Sequence, residues 1–206
     1  MGGKKLWHMY KKEFAEGTPL GRDRFLDALD KYGLKLRQRK RKPRTTNSNH
    51  GFPLYVNLVK DIIPERPNQI WVSDITYIPI HYDGVHYKFS YLSVILDSYS
   101  KEIVGWSLGD SLDTRYPIEA LNQALKRLES SDEVDKKLIH HSDRGCQYAS
   151  HQYVSILKKN DIDISMTETP DPKDNAQAER INNTIKNELL KGKRFKTIDE
   201  AKTELA

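Results

Sequence analysis

The sequence predicts an α/β domain built on a mixed sheet. Three observations carry this: β-branched and aromatic runs between residues 69 and 109, alternating helix-like and strand-like segments after them, and turn signals in between. An apolar fraction of 37% and an aromatic fraction of 9% over 206 residues suffice for one packed domain and an appendage.

"GRDRFLDALDKYG" (21–33) sets Phe25, Leu26, Ala28 and Leu29 at helical spacing, with Gly33 as a stop. A basic arm and a polar loop, "TTNSNHG", follow, and a connecting segment runs to Pro64 and Pro67. "QIWVSDITYIPI" (69–80) reads as the first strand, "VHYKFSYLSVILD" (85–97) as the second and "EIVGWSLG" (102–109) as the third. Their short connections, Asp83-Gly84 among them, make an antiparallel meander. "DTRYPIEALNQALKRLESS" (113–131) is a helix with Ile118, Leu121, Leu125 and Leu128 on one face and Pro117 in its first turn. A strand ending at Asp143, a helix near 150–160, a strand at 162–167 and a helix at 175–190 complete the order β-β-β-α-β-α-β-α. The expected divisions are 1–50, helical and basic; 51–65, a linker; and 66–206, the main domain.

Composition narrows the function. One cysteine, Cys146, rules out a disulfide framework and a multi-cysteine zinc site. No run approaches the ~18 apolar residues of a membrane span, so the expectation is a cytoplasmic protein without a membrane partner. The net charge of +5 is divided: residues 1–50 hold 14 Lys/Arg against 5 Asp/Glu, and residues 51–206 hold 20 against 24. Seven of the ten positions from Lys35 to Arg44 are basic, including Arg37, Arg39, Lys40, Arg41, Lys42 and Arg44. Such a run is either a solvated tail or a phosphate-binding arm, and the acidic remainder favours the arm.

Three carboxylates stand where they need a reason. Asp74 lies mid-strand among Trp71, Val72 and Ile75; Asp143 ends a strand; Glu179 lies on the last long helix. On that helix Glu179, Asn183 and Lys186 fall within about 60° of one another, opposite the stripe Ala178, Ile181, Ile185 and Leu189. Each acid alone is ordinarily a cap, an ion-paired surface group or an edge residue. Held together, all three would repel strongly unless cations lay between them, and oxygen-only ligands select Mg²⁺ or Mn²⁺. Two such ions suit phosphoryl transfer. Asp97 reads first as a turn initiator, and His140 and His141 as strand-end packing groups rather than ligands. Arg144 fits a phosphate contact and an ion pair equally well.

"WVSDITYI", "IHHSDRGCQYAS" and "DNAQAERINNTIKNELL" resemble the motifs of bacterial insertion-sequence transposases that share a catalytic core with retroviral integrases. In that family 35 residues separate the second acid from the third, and a basic residue lies seven beyond the Glu. Here 35 residues separate Asp143 from Glu179, and Lys186 lies seven beyond. The resemblance runs from about Pro64 to Thr197, and "FLDALDKYGLKLRQRKRKPRTT" resembles the basic segment that precedes such cores. It implies a ribonuclease-H-like, five-stranded mixed sheet flanked by helices. It also implies a catalytic, metal-binding set of Asp74, Asp143 and Glu179 with two Mg²⁺ or Mn²⁺ ions. The implied chemistry is strand cleavage and strand transfer on DNA, at element ends and target.

Further expectations are DNA contacts by Lys186, Arg144 and the basic arm, a homo-oligomer on DNA, a separately encoded helix-turn-helix partner, and association with the nucleoid. A ribonuclease-H-like nuclease and a catalytically impaired DNA-binding remnant are the alternatives. The family pattern continues beyond "FKTIDEAK", so a C-terminal truncation is expected, with the stripe Ile198, Ala201 and Leu205 left exposed.

Overall fold

The structure, a computed structural model, describes residues 3–14, 19–34, 50–83, 86–130, 137–168 and 175–206. The chain forms two compact units, Met1–Pro43 and Arg44–Ala206.

In the first unit two helices, α1 (Gly3–Glu13) and α2 (Arg22–Lys31), form a hairpin. Tyr10 stacks on Phe25 with ring centroids 4.8 Å apart, and Trp7 Nε1 donates to the Leu20 carbonyl at 3.1 Å. Neither helix has a buried residue, so a few aromatic contacts hold the pair. Only the second helix is evident from periodicity.

The second unit contains the sheet. β1 (Ile70–Ile80), β2 (Lys88–Asp97) and β3 (Ile103–Gly109) form the expected antiparallel meander. After α3 (Arg115–Glu129), β4 (Ile139–Ser142) pairs parallel to β1. The short α4 (Cys146–Ala149) and α5 (His151–Lys159) lead to β5 (Asp163–Met166), parallel to β4. The sheet order is β3-β2-β1-β4-β5, with α6 (Ala176–Thr184) and α7 (Ile198–Leu205) after it. This is the ribonuclease-H-like mixed sheet flanked by helices.

Strand alternation divides the core into two faces. Trp71 and Ile95 pack with Ala120, Leu121, Ala124, Tyr153 and Leu157 of α3 and α5. The contact between α3 and β3 is close: a Cβ on Gly105 would stand 2.1 Å from the Ala120 carbonyl oxygen, so only glycine fits. On the opposite face Ile70, Val72 and Leu96 pack with Ala178 of α6. Farther along, Ile78, Ile80, Leu92 and Val94 pack with Ile185, Leu190, Phe195 and Ala201.

Two expectations need correction on this second face. The helix predicted over 175–190 is α-helical only to Thr184 and continues as a π-helical turn, Ile185–Leu189. A π turn holds an extra residue, so the apolar stripe slips by one. Leu189 is 42% exposed and Leu190 is buried in its place. Likewise, the stripe of α7 is not left open. Ala201 is fully buried, and Ile198 and Leu205 pack against the cluster around Ile78 and Leu92.

Candidate active site

Parallel pairing of β1 with β4 runs from Ile70↔Ile139 to Ser73↔Ser142. The next residue on each chain is an aspartate, Asp74 on one side and Asp143 on the other. Two acids that are 69 positions apart in sequence therefore stand side by side, Asp74 within β1 and Asp143 just past the carboxyl end of β4. Asp143 Oδ1 accepts from the Gly145 N–H at 3.0 Å, a turn that leads the chain away from the strand and into α4.

Two asparagines fasten α6 to this position. Asn175, the residue before the helix, donates Nδ2 to the Ser73 carbonyl at 3.0 Å. Asn182 donates Nδ2 to Asp74 Oδ2 at 2.8 Å. Glu179, one turn before Asn182, is exposed in the first turn of α6. Neither asparagine stands out in the sequence, although a signal exists. On the helical projection both lie at the margin of the apolar stripe, where an amide needs a polar partner.

The electrostatics of Asp74 report its neighbours. Its carboxyl is pushed up to about 7, first by burial and next by the charge of Asp143. The Ile75 amide and Asn182 oppose the shift, and Glu179 adds a smaller push upward. So Asp74 senses the charge of both other sequence-predicted acids. Among the described residues no three His, Cys, Asp or Glu side chains are grouped closely enough to hold one ion together.

Behind Asp74 lies a buried polar layer. His140 Nε2 is 2.7 Å from Ser73 Oγ and 2.9 Å from the Tyr153 hydroxyl. Burial and then His141 pull the His140 pKa down to about 3, so its ring is neutral at physiological pH. His141 Nδ1 lies 2.8 Å from Ser165 Oγ, joining β4 to β5. Both histidines therefore serve the sheet. Three side-chain atoms in the second unit are buried without a hydrogen-bond partner among the described residues: the Tyr148 hydroxyl and the Oδ1 atoms of Asn175 and Asn182. The Tyr148 pKa is raised by burial, then by Tyr153 and by the charges of Asp74 and Asp143.

The remaining candidates separate clearly. Asp97 is buried and accepts from the Ser100 N–H at 3.1 Å and Ser100 Oγ at 2.6 Å, which makes it a turn residue. Arg144 donates Nε to the Thr167 carbonyl at 2.6 Å, tying the end of β4 to the end of β5. Lys186, in the π turn, places Nζ 3.8 Å from the centre of the Tyr77 ring. Arg37, Arg39, Lys40, Arg41, Lys42 and Arg44 lie outside the described residues.

Known proteins resemble this chain in sequence and in fold. The integrase core domain family matches residues 64–172, and a second integrase core domain family matches residues 160–206. The chain belongs to the integrase core family of insertion-sequence transposases. An uncharacterised 31 kDa protein of insertion element IS600 from Shigella sonnei is 37% identical over 92% of this chain and 67% of its own length. The transposase of IS629 from the same organism is 34% identical over 100% of this chain and 64% of its own. A transposase of IS986/IS6110 from Mycobacterium tuberculosis is 30% identical over 100% of this chain and 72% of its own. Thus the chain spans about two thirds of the length of these relatives.

Among solved structures, the Mos1 mariner transposase catalytic domain has a TM-score of 0.55 at 15% identity, covering 67% of this chain and 68% of its own. An intasome of simian T-cell lymphotropic virus, in complex with a PP2A regulatory subunit, has a TM-score of 0.55 at 18% identity, covering 99% and 67%. At such identities the likeness is one of fold. Integrase core transposases are metal-dependent polynucleotidyl transferases that act on DNA and assemble as oligomers, and this core has the function of a transposase or integrase. No helix among the described residues is long and apolar enough to cross a membrane.

Proposed function

We propose that Asp74, Asp143 and Glu179 are the catalytic, metal-binding acids of this integrase core transposase and hold two Mg²⁺ or Mn²⁺ ions. One observation supports this above the others: Asp74 and Asp143 stand side by side, each next after the last parallel pair of β1 and β4, and the charge of Asp143 helps push the Asp74 carboxyl to about 7. Repelling, half-buried carboxylates are costly in a protein of modest stability, and a hard divalent cation removes that cost. The donor set fits, being oxygen throughout. Glu179 is exposed on α6, with the side-chain freedom to complete the set. A Mos1 catalytic domain with a TM-score of 0.54 was solved with Mg. When bound, paired divalent ions supply Lewis-acid activation of an attacking oxygen and charge stabilisation of a leaving one.

The protein's own part is positioning. Asn182 holds one oxygen of Asp74, and the Gly145 N–H holds one oxygen of Asp143, so both carboxylates present fixed faces. Asn175 anchors the start of the helix that carries Glu179. Lys186 stands on the following turn, suited to a DNA phosphate, and the guanidinium of Arg144 carries further donors of the same use. The basic arm from Arg37 to Arg44 binds the DNA backbone through counterion release. Cleavage uses water and joining uses a DNA 3′-hydroxyl, with no covalent protein–DNA intermediate. The protein acts as a homo-oligomer on DNA at the nucleoid, with a helix-turn-helix partner encoded separately.

Incubation of the chain with supercoiled DNA and Mn²⁺ tests the chemistry. Nicking that disappears in Asp143→Asn, with an unchanged circular dichroism spectrum, is expected. Equal nicking by the variant would place the catalytic acids elsewhere.

A further inference from the structure

β1 is longer than its parallel partner. It pairs with β4 only through Ser73, and with β2 through to Ile80. Beyond Asp74 the β4-side edge of β1 is therefore not covered by β4 until Ile80 bridges Phe195, and Tyr77 lies on this stretch, three residues from Asp74 and on the other face of the strand. Tyr77 packs edge-on against Phe89 with centroids 4.7 Å apart, and Phe89 packs edge-on against Tyr87 at 5.2 Å. Tyr87 is 46% exposed. Lys186 Nζ lies over the Tyr77 ring, so a cation from the α6 side meets the aromatic group at this edge.

Cross-strand aromatic pairs can do no more than stabilise a hairpin. Two features exceed that role here. Edge-to-face packing leaves ring faces that are not stacked on one another, and the outermost ring is half exposed. The cluster also shares a strand with a catalytic acid and carries a lysine. Aromatic faces beside a cation are what unpaired nucleic acid recognises, by base stacking and phosphate contact.

We propose that Tyr77, Tyr87 and Phe89 form a stacking platform for an unpaired DNA base next to the strand held at Asp74, with Lys186 meeting the adjoining phosphate. The ligand class rests on the DNA-processing reading above. A strand end frayed from its duplex would be held here, keeping a scissile or newly freed end from re-pairing with its complement.

The test uses the full chain in EDTA, where no strand is cut. The probes are a short hairpin duplex with a three-base single-stranded tail containing 2-aminopurine, and the same duplex with a blunt end. The expected result is at least a fivefold preference for the tailed probe, the low end of what stacking one base contributes. Quenching of the 2-aminopurine on binding should accompany it. Tyr87→Leu should lose the quenching and most of the preference, while Tyr87→Phe keeps both. Equal affinity for the two probes overturns the platform, as does undiminished preference and quenching in Tyr87→Leu. Absence of binding to either probe refutes the DNA reading and the platform with it. A preference for the tail in a chain that never nicks DNA refutes only the proposed chemistry.

Discussion

Asp74 is the residue on which the site's energetics turn. Its folded pKa of about 7 lies above the ordinary 3.8, so between those values the folded state keeps a proton that the unfolded state releases. Stability from this group therefore falls as pH rises through that window. The penalty is absent below about pH 4 and complete above about pH 7, where it reaches on the order of a few kcal/mol. Asp74→Asn removes the charge and keeps an acceptor for Asn182. In EDTA the variant should be more stable than the wild type at pH 8, with the gap narrowing at pH 5, as urea midpoints would show. Identical midpoints at pH 8 would mean that Asp74 is not held against its neighbours' charge. The unusual setting of Asp74 was legible in the sequence because a charge among Trp71, Val72 and Ile75 demands a reason. Asn182 was not, because its place at the margin of the apolar stripe says that an amide there needs a polar partner but not that the partner is Asp74.

At the scale of elements, the strands and helices of the sheet-bearing unit were placed within a few residues, since alternation and 3.6-residue periodicity record which face is buried, whereas α1, with no buried residue, was not. One exception within that unit is instructive. Nothing in "INNTIKNELL" interrupts the periodicity, with neither glycine nor proline to mark a break, yet the helix changes to a π turn at Ile185. Burial of Leu190 beside Ile185 and Phe195 accompanies the change, a tertiary effect with no local signature. Leu190→Ala should cost roughly 2–4 kcal/mol, and Leu189→Ala less than about 1, as expected for a buried and a half-exposed leucine. The reverse order in denaturant unfolding would indicate an uninterrupted α-helix. The short α4 was also unforeseen, because four residues are too few for a periodicity to emerge.

For the whole molecule, the charge division is plain in the sequence and owes nothing to the packing of the sheet. Residues 1–50 carry the basic excess while residues 51–206 are acidic, as suits the proposed polyanion-binding arm and cation-binding site. Removing residues 1–44 should weaken binding to duplex DNA. It should also flatten the dependence of log K on log salt by roughly 0.9 for every phosphate that the arm neutralises. An unchanged slope would make the arm a solvated tail.

Metal binding by the three acids is tested most directly by calorimetric titration of Mn²⁺ into the wild-type chain and into Asp74→Asn, Asp143→Asn and Glu179→Gln at pH 8. The expected result is specific binding by the wild type, at least tenfold weaker in each aspartate variant and measurably weaker in Glu179→Gln. Affinity should also decline below about pH 7, where Asp74 takes up a proton. Wild-type affinity in all three variants would contradict the assignment.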